Sequence, residues 1–169
     1  MEVVVLADTH LRAGLETLPP TILDALSHTD AIVHAGDVVS RAALRELQEL
    51  RPELGVHAAL GNNDGELVDL LPVERSFELG GVRCAAVHDS GPARVRAGHL
   101  ARRFPDAQVV IFGHSHIPVN GEGVGGQLLF NPGSPTQRRS QPNRTFGRLR
   151  LVGGRIRSHT IESLDAPCP

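Results

Sequence analysis

The sequence predicts a single α/β domain built around a mixed β-sheet. Short apolar runs rich in Val, Ile and Ala alternate with helical segments through most of the chain, which is typical of the α/β class. The last part carries strand patterns joined by a Gly-Gly turn, which favours antiparallel pairing and therefore a mixed sheet. A chain of 169 residues fits one domain, so we expect one domain over residues 1–169.

The predicted strands are short apolar or alternating runs, most of them bounded by turn-forming residues. They cover residues 3–7, 31–35, 56–60, 75–79, 82–88, 109–112, 127–130, 145–152 and 155–161. Gly80-Gly81 and Gly153-Gly154 are predicted hairpin turns, and the second gives a C-terminal β-hairpin over residues 145–161. Residues 61–65 read Gly-Asn-Asn-Asp-Gly and predict a turn, because strand and helix interiors do not tolerate such a cluster.

Three helices are predicted between these strands. Two adjacent prolines precede a short helix over residues 21–27. Ser40 is a suitable N-cap for a second helix, whose leucines share one face and which ends at Arg51-Pro52. A third helix covers residues 93–104 and ends before a proline.

Composition and charge argue against several classes of protein. The hydrophobic share is 40%, the charged share is 21% and the formal net charge is −2, so no broad electrostatic attraction to nucleic acid is indicated. Trp and Tyr are absent and only 5 Phe are present, which leaves little material for stacking bases. Cys84 and Cys168 form no disulfide pattern, and no targeting or membrane-spanning segment is visible. We therefore expect a cytoplasmic protein with neither a membrane nor a nucleic acid as its partner.

The stretch from Gln108 to His116 is the most informative part of the sequence. A buried strand ends at Gly113, and two histidines, His114 and His116, follow it. If the chain stays extended through Ser115, both rings point the same way and reach one cavity. Neutral imidazole suits Zn, Fe, Mn or Ni. Taken alone, the pattern is also compatible with an ordinary turn that carries two histidines.

Polar side chains follow five of the predicted strands. They are Asp8 with His10, Asp37, Asn62, His88, and His114 with His116. In α/β chains ligands gather at the carboxyl ends of strands, so we expect these side chains to meet. Each motif alone is ordinary, but two carboxylates, one amide oxygen and four imidazoles together can fill two cation sites.

The ordered motifs D-x-H, G-D, G-N-x-D, H and G-H-x-H resemble the calcineurin-like metallophosphoesterases, and the small size resembles their YfcE-like phosphodiesterase subgroup. The resemblance spans residues 3–134. It implies a β-sandwich of two mixed sheets flanked by helices, in four αββα layers, with two metals at its rim. It assigns Asp8, His10 and His116 to one metal, Asn62, His88 and His114 to the other, and Asp37 as the bridge. The run Asn131-Pro132-Gly133-Ser134 also resembles the turn that closes the site in this subgroup.

The implied function is metal-dependent phosphoester hydrolysis. Two divalent cations, Mn by expectation with Zn, Fe, Ni or Co as alternatives, would hold a bridging hydroxide for in-line attack at phosphorus. Two cations, two carboxylates and one hydroxide leave a net charge of about +1, which a singly charged phosphodiester would neutralise. A monoester would be attracted too. We expect a small phosphoester or nucleotide-like substrate and favour a diester.

Two positions depart from the family pattern. Asn63 stands where many members carry a His that assists the leaving group, and an amide cannot donate a proton at neutral pH. We place Asn63 and the adjacent Asp64 on the leaving-group side. Asp89 stands where relatives commonly carry Gly; its carboxylate either orients His88 or crowds the second metal.

The remaining predictions concern the mouth of the site and a rival function. Arg138 and Arg139 lie on a Pro-rich loop, where they either bind the phosphate or form a solvated pair. The other histidines are interpreted as structural or surface residues: His28, His34, His57, His99 and His159. The retromer subunit with a similar fold offers an alternative function, a metal-binding scaffold for protein interaction. The seven ligand-competent positions favour the enzyme.

Overall fold

Ten strands form two five-stranded mixed sheets within residues 1–50 and 55–165, the part of the chain that the computed structural model describes. The strands are β1 (Glu2–Leu6), β2 (Ala31–His34), β3 (Val56–Ala58), β4 (Glu74–Leu79), β5 (Val82–Val87), β6 (Val109–Ile111), β7 (Val119–Glu122), β8 (Leu128–Asn131), β9 (Thr145–Val152) and β10 (Arg155–Ser163). The α-helices are α1 (Pro20–Ser27), α2 (Arg41–Leu50) and α3 (Arg96–Arg103). The predicted end of α2 at Arg51-Pro52 lies outside the described residues.

Each sheet has a parallel centre and antiparallel additions. The first sheet has the order β10-β9-β1-β2-β3, with β1, β2 and β3 parallel and the β9–β10 hairpin antiparallel. The second has the order β4-β5-β6-β8-β7, with β5, β6 and β8 parallel between antiparallel edge strands. Since parallel strands end at the same edge of a sheet, the segments after β1, β2 and β3 share one edge, and so do those after β5 and β6.

Side-chain alternation along the strands produces a four-layer arrangement. Val5 and Val33 of the first sheet pack between the sheets in one cluster with Ile111 and Phe130 of the second. Residues of the opposite parity, such as Val4, pack in the cluster that contains the apolar faces of α1 and α2. Residues of α3 cover the outer face of the second sheet. The predicted fold class, two mixed sheets flanked by helices, is confirmed.

Two local differences from the sequence prediction have clear causes. β7 was not predicted, because its sequence Val-Asn-Gly-Glu is partly exposed and lacks the apolar run of a buried strand; it is an edge strand paired with β8. α3 begins at Arg96 rather than at residue 93, because the N–H of Val95 donates to the carbonyl of Pro92 in a preceding turn. Within the described residues, every helix is too short or too polar to cross a membrane.

Candidate metal centre

The seven predicted ligands lie together where the two sheets meet at one rim. The loop after β1 carries two of them, the loops after β2, β3 and β5 carry one each, and the loop after β6 carries two. Contacts between the sheets hold these loops in register. The N–H of His114 donates to Asp8 Oδ1 at 3.1 Å, and His88 Nδ1 donates to the carbonyl of Ala35 at 2.8 Å.

Three of the residues form a first group around one point. Asp8, His10 and His116 each direct one ligand atom into a region where all three atoms lie within 4.8 Å of one another. The Nε2 atoms of the two histidines are 3.4 Å apart, and His116 Nε2 is 3.5 Å from Asp8 Oδ1. This is the set predicted for one metal.

A second group surrounds the side chain of Asn62. Its Oδ1 lies 3.0 Å from His88 Nε2 and 2.9 Å from His114 Nδ1. The His88 and His114 rings meet edge to face, with centroids 5.2 Å apart. The three residues predicted for the other metal are therefore in mutual contact.

Both carboxylates lie between the two groups. Asp37 Oδ2 is 3.7 Å from His10 Nε2 and 3.5 Å from His88 Nε2, so it reaches one histidine of each group. Asp8 also approaches both, since its Oδ1 is 3.9 Å from His88 Nε2 as well as close to His116. Asp37 therefore lies where a carboxylate that bridges two metals is expected, and Asp8 lies partly in the same position.

The backbone around the site departs from the extended form assumed for the H-x-H motif. His114 and His116 have φ of 70° and 58°, so both lie in the left-handed region, and their rings enter different groups. Asp8, His10 and Asp37 also have positive φ, at 54°, 48° and 61°. Non-glycine residues rarely adopt this conformation, and clusters of it occur at functional sites that the surrounding structure holds in place.

Two motif glycines are required by close packing. A Cβ on Gly61 would overlap the backbone N and the Oδ1 of Asp37. A Cβ on Gly113 would lie 2.9 Å from Ala7 Cβ and 3.0 Å from the carbonyl oxygen of Ala35. Any larger residue would push the ligand loops apart, which explains why Gly precedes Asn62 and His114 in these motifs.

Burial and hydrogen bonding set the protonation of the ligands. Burial lowers the pKa of His10 and of His116, which keeps their imidazoles neutral at pH 7. Burial raises the pKa of Asp8 to about 7. Burial would also raise the pKa of Asp37 and lower that of His88, but hydrogen bonds have the larger effect. The hydrogen bond between these two side chains and those that Asn63 donates lower the pKa of Asp37. The same bond to Asp37 and the bond to the carbonyl of Ala35 raise the pKa of His88.

The donor set fits divalent cations. His116 Nδ1 donates to the carbonyl of Gln137 at 2.7 Å and His88 Nδ1 donates to that of Ala35, so Nε2 is the nitrogen of each ring that would coordinate a cation. Metal-binding histidines are commonly oriented in this way. Asp8 Oδ2 is buried and has no hydrogen-bond partner among the described residues, as expected of an oxygen whose partner is a cation.

Asp64 is placed differently from the leaving-group role predicted for it. Its side chain is buried, and its oxygens accept the backbone N–H groups of Asp37 at 2.9 Å, Gly61 at 2.6 Å and Val39 at 2.7 Å. These bonds use the carboxylate within the protein. Asn63 is exposed, and its Nδ2 donates to Asp37 Oδ2 at 2.6 Å. Of the two residues, only Asn63 faces the open side of the site.

Asp89 does not orient His88. Its Oδ1 accepts the N–H of Gly91 at 2.8 Å, while the Nδ1 of His88 is engaged by the carbonyl of Ala35. The exposed Asp89 side chain instead lines a cavity beside His88.

The neighbouring residues Arg138 and Arg139 make different contacts. Arg139 Nη1 donates to the carbonyl of His114 at 3.3 Å, and the positive charge of Arg139 lowers the pKa of Asp8 against the larger effect of burial. Arg138 Nη1 donates to the carbonyl of Pro142 at 2.9 Å, within its own loop. The structure therefore brings Arg139 to the two ligand groups and leaves Arg138 bonded within its own loop.

The turn at the end of β8 is hydrogen-bonded to the loops that carry the ligands. Asn131 Nδ2 donates to the carbonyl of Gly113 at 3.0 Å, and Ser134 Oγ donates to that of Asp8 at 2.7 Å. Thr136, which the sequence analysis missed, adds a bond from its Oγ1 to the carbonyl of Thr9 at 2.9 Å. Its position two residues after the Asn-Pro-Gly-Ser run is the signal that the sequence offers.

His34 is a structural residue at the centre of this network. It is fully buried, and its Nε2 lies 3.0 Å from Thr9 Oγ1, which in turn donates to the carbonyl of Asp37 at 3.4 Å. Burial lowers the pKa of His34 to about 3, so the ring stays neutral. It links the first two ligand loops without facing the open site.

Comparison with known proteins identifies the family of the chain. The sequence matches the model of the calcineurin-like phosphoesterase superfamily domain over residues 1–154. A probable metallophosphoesterase of Methanothermobacter thermautotrophicus is 34% identical over 173 aligned positions, which cover 99% of this chain and 96% of that protein.

Solved structures show the same fold. YfcE, a phosphoesterase from E. coli, is 22% identical with a TM-score of 0.61 and covers 95% of this chain and 98% of its own. Vps29 from Entamoeba histolytica, in complex with zinc, is 22% identical with a TM-score of 0.73, covering 97% and 98%. At this identity the likeness concerns the fold alone. The family match and the archaeal relative decide the assignment: the chain belongs to the calcineurin-like phosphoesterase superfamily.

Proposed function

We propose that this protein is a dinuclear metal-dependent phosphoesterase that prefers phosphodiesters. The observation that carries the proposal is the pair of adjoining ligand groups, one around His10 and His116 and one around His88 and His114, with Asp8 and Asp37 between them. Two such groups are the arrangement that two-metal hydrolysis of phosphate esters needs.

The roles of the protein residues follow from their contacts. Two bound divalent cations, with Mn as our proposed native metal, would supply Lewis acidity and an activated water. The seven side chains would hold them, and the carbonyls of Ala35 and Gln137 fix the orientation of two of the rings. Arg139, at the mouth, would attract the phosphate and hold it by charge-assisted hydrogen bonds.

The preference for diesters rests on Asn63. Two bound divalent cations would leave the site net positive after its two carboxylates are counted, which attracts diesters and monoesters alike. Asn63 offers an amide to the leaving-group side, and an amide supplies no proton. Substrates with poor leaving groups, such as alkyl monoesters, should therefore react slowly.

The test is metal analysis followed by paired assays. Purified protein is stripped with a chelator, reloaded with Mn²⁺, and assayed on an aryl phosphodiester and an aryl phosphomonoester. We expect activity that the chelator abolishes and added metal restores, with the diester hydrolysed faster. Unchanged rates in excess chelator would contradict the proposal.

A scaffold function is the second candidate, because the fold is shared with Vps29, whose full name is Vacuolar Protein Sorting 29. It would bind metal, hydrolyse no phosphoester, and retain a protein partner after Asp37→Asn. Clear metal-dependent turnover would remove its main support.

For either function we propose a cytoplasmic location, because Cys84 is buried as a free thiol and no disulfide framework is visible in the sequence.

A further inference from the structure

A cavity of about 420 Å³ opens directly beside the second ligand group. Asn62, His88 and His114 are among its lining residues, so a group bound there would lie against the residues proposed to hold the second metal. Leu60, Val73 and Val87 also line it and supply apolar surface. Volumes of this order hold small organic groups.

The charges around this cavity argue against a second anion. Arg103 lines it, but its Nε donates to Glu74 Oε2 at 2.6 Å, so its charge is compensated. Asp89 lines it as well and has an exposed carboxylate. A carboxylate at the opening would repel a terminal phosphate or carboxylate, so the cavity suits an uncharged group.

The lining residues favour a planar ring. The imidazoles of His99 and His114 both border the space, and aromatic rings stack well on such surfaces. Asp89 could accept a hydrogen bond from a ring N–H or amino group. A phenyl ring or a nucleobase therefore matches the cavity in size, charge and surface.

A second cavity lies beside the first ligand group and has the opposite character. Its volume is about 370 Å³, and it is lined mainly by polar side chains, including His10, Arg12, Asn63 and Gln137. A phosphodiester has two substituents on phosphorus, whereas a monoester has one. Asp37 Oδ2 lies 3.7 Å from His10 Nε2, whose residue lines this cavity, and 3.5 Å from His88 Nε2, whose residue lines the first. Two unlike cavities next to one carboxylate match two unlike substituents.

We infer that the cavity formed by Leu60, Val73 and Val87 beside His88 and His114 is the subsite for an uncharged planar substituent, an aryl group or a nucleobase, of a phosphodiester substrate. The inference rests on the proposed function and deepens it by naming the substrate class. The polar cavity beside Asn63 takes the other substituent.

The experiment compares two esters that differ only in the group retained on phosphorus: 4-nitrophenyl phenyl phosphate and 4-nitrophenyl methyl phosphate. The variant is Val73→Asp, which places a charge on the apolar wall at a site that is already 62% exposed. The matched control is Val68→Asp on the same segment, where the residue is 65% exposed and lies outside the cavity lining.

We expect Val73→Asp to lower the ratio of phenyl to methyl kcat/KM roughly tenfold, and Val68→Asp to leave it unchanged. Comparing each ratio with that of the wild type cancels the intrinsic reactivity of the two esters. An equal ratio in the wild type and both variants would overturn the inference.

A binding measurement separates the subsite from turnover. Phenylphosphonate and methylphosphonate carry a C–P bond that the proposed reaction does not cleave, and calorimetry on the Mn²⁺-loaded protein gives their relative Kd. We expect the wild type and Val68→Asp to prefer phenylphosphonate, and Val73→Asp to lose most of that preference. Absence of turnover on both esters would refute the proposed function alone, whereas an equal phosphonate preference in all three proteins would refute the subsite.

Discussion

Asp64 Oδ2 accepts the backbone N–H of Asp37 at 2.9 Å, which ties the turn after β3 to the loop that carries the central carboxylate of the site. The same carboxylate also accepts the N–H groups of Gly61 and Val39. Val39 has φ of 87°, which is strained for a β-branched residue, so this loop needs such external support. Asp64 thus positions two ligand loops without facing the site.

Asp64→Ala should therefore destabilise the metal-free protein and weaken metal binding. Three backbone N–H groups would lose their acceptor, and each buried unsatisfied group costs about 1–3 kcal/mol. We expect a loss of about 3 kcal/mol in the free energy of unfolding, measured by urea denaturation. Asp69→Asn, which removes an exposed carboxylate from the Arg41 ion pair, is the control and should have a much smaller effect. Equal effects would show that the Asp64 bonds do not support the loops.

Asp37→Asn should reduce the occupancy of both metals, because Asp37 Oδ2 reaches a histidine of each group. Asp8→Asn should mainly weaken the metal held with His10 and His116. The measurement is the number of ions bound per chain, by elemental analysis of protein purified with Mn²⁺. If Asp8→Asn lowered both occupancies as strongly as Asp37→Asn, the assignment of Asp37 as the main bridge would be wrong.

Arg139→Gln should weaken substrate binding, and Arg138→Gln should not. Arg139 contacts the carbonyl of His114 and acts electrostatically on Asp8, whereas Arg138 is bonded to Pro142 within its own loop. We expect about a tenfold rise in KM for an aryl phosphodiester with Arg139→Gln, from the loss of one charge-assisted contact. The comparison is made at equal metal occupancy. Equal KM values for the two variants would exclude a phosphate-binding role for Arg139.

Asn63→His should raise the turnover of alkyl phosphomonoesters more than that of aryl diesters. The side chain at this position is exposed and faces the polar cavity, and an imidazole there could donate a proton to the leaving oxygen, a contribution of roughly 10²- to 10⁴-fold in favourable geometry. The measurement is the ratio of kcat/KM for an alkyl monoester to that for an aryl diester, at equal metal occupancy.

Asn63→Ala is the control for this exchange, because it removes the bond to Asp37 Oδ2 without adding an acid. A ratio that rises in Asn63→His and not in Asn63→Ala would assign the gain to proton donation. A flat ratio in Asn63→His would show either that position 63 does not face the leaving group or that another residue already supplies the proton.

The sequence by itself determined the fold class, the family and the set of candidate ligands. Buried strands are near-continuous apolar runs, so the strand ends at Asp8, Asp37 and His88 could be located by pattern alone. The ordered motifs at these ends identified the family, which the comparisons confirm. The ligand positions are brought together in the structure, while their binding of metal stays a prediction.

Only the tertiary structure decided how the site residues are arranged. His114 and His116 are separated into different groups by left-handed backbone, a conformation imposed by contacts such as that between His114 and Asp8, 106 positions apart in the chain. Asp64 and Asn63 are neighbours, yet one is buried and the other exposed, because their directions depend on the loops packed around them. Local sequence carries propensity and periodicity, whereas long-range packing fixes where each side chain points.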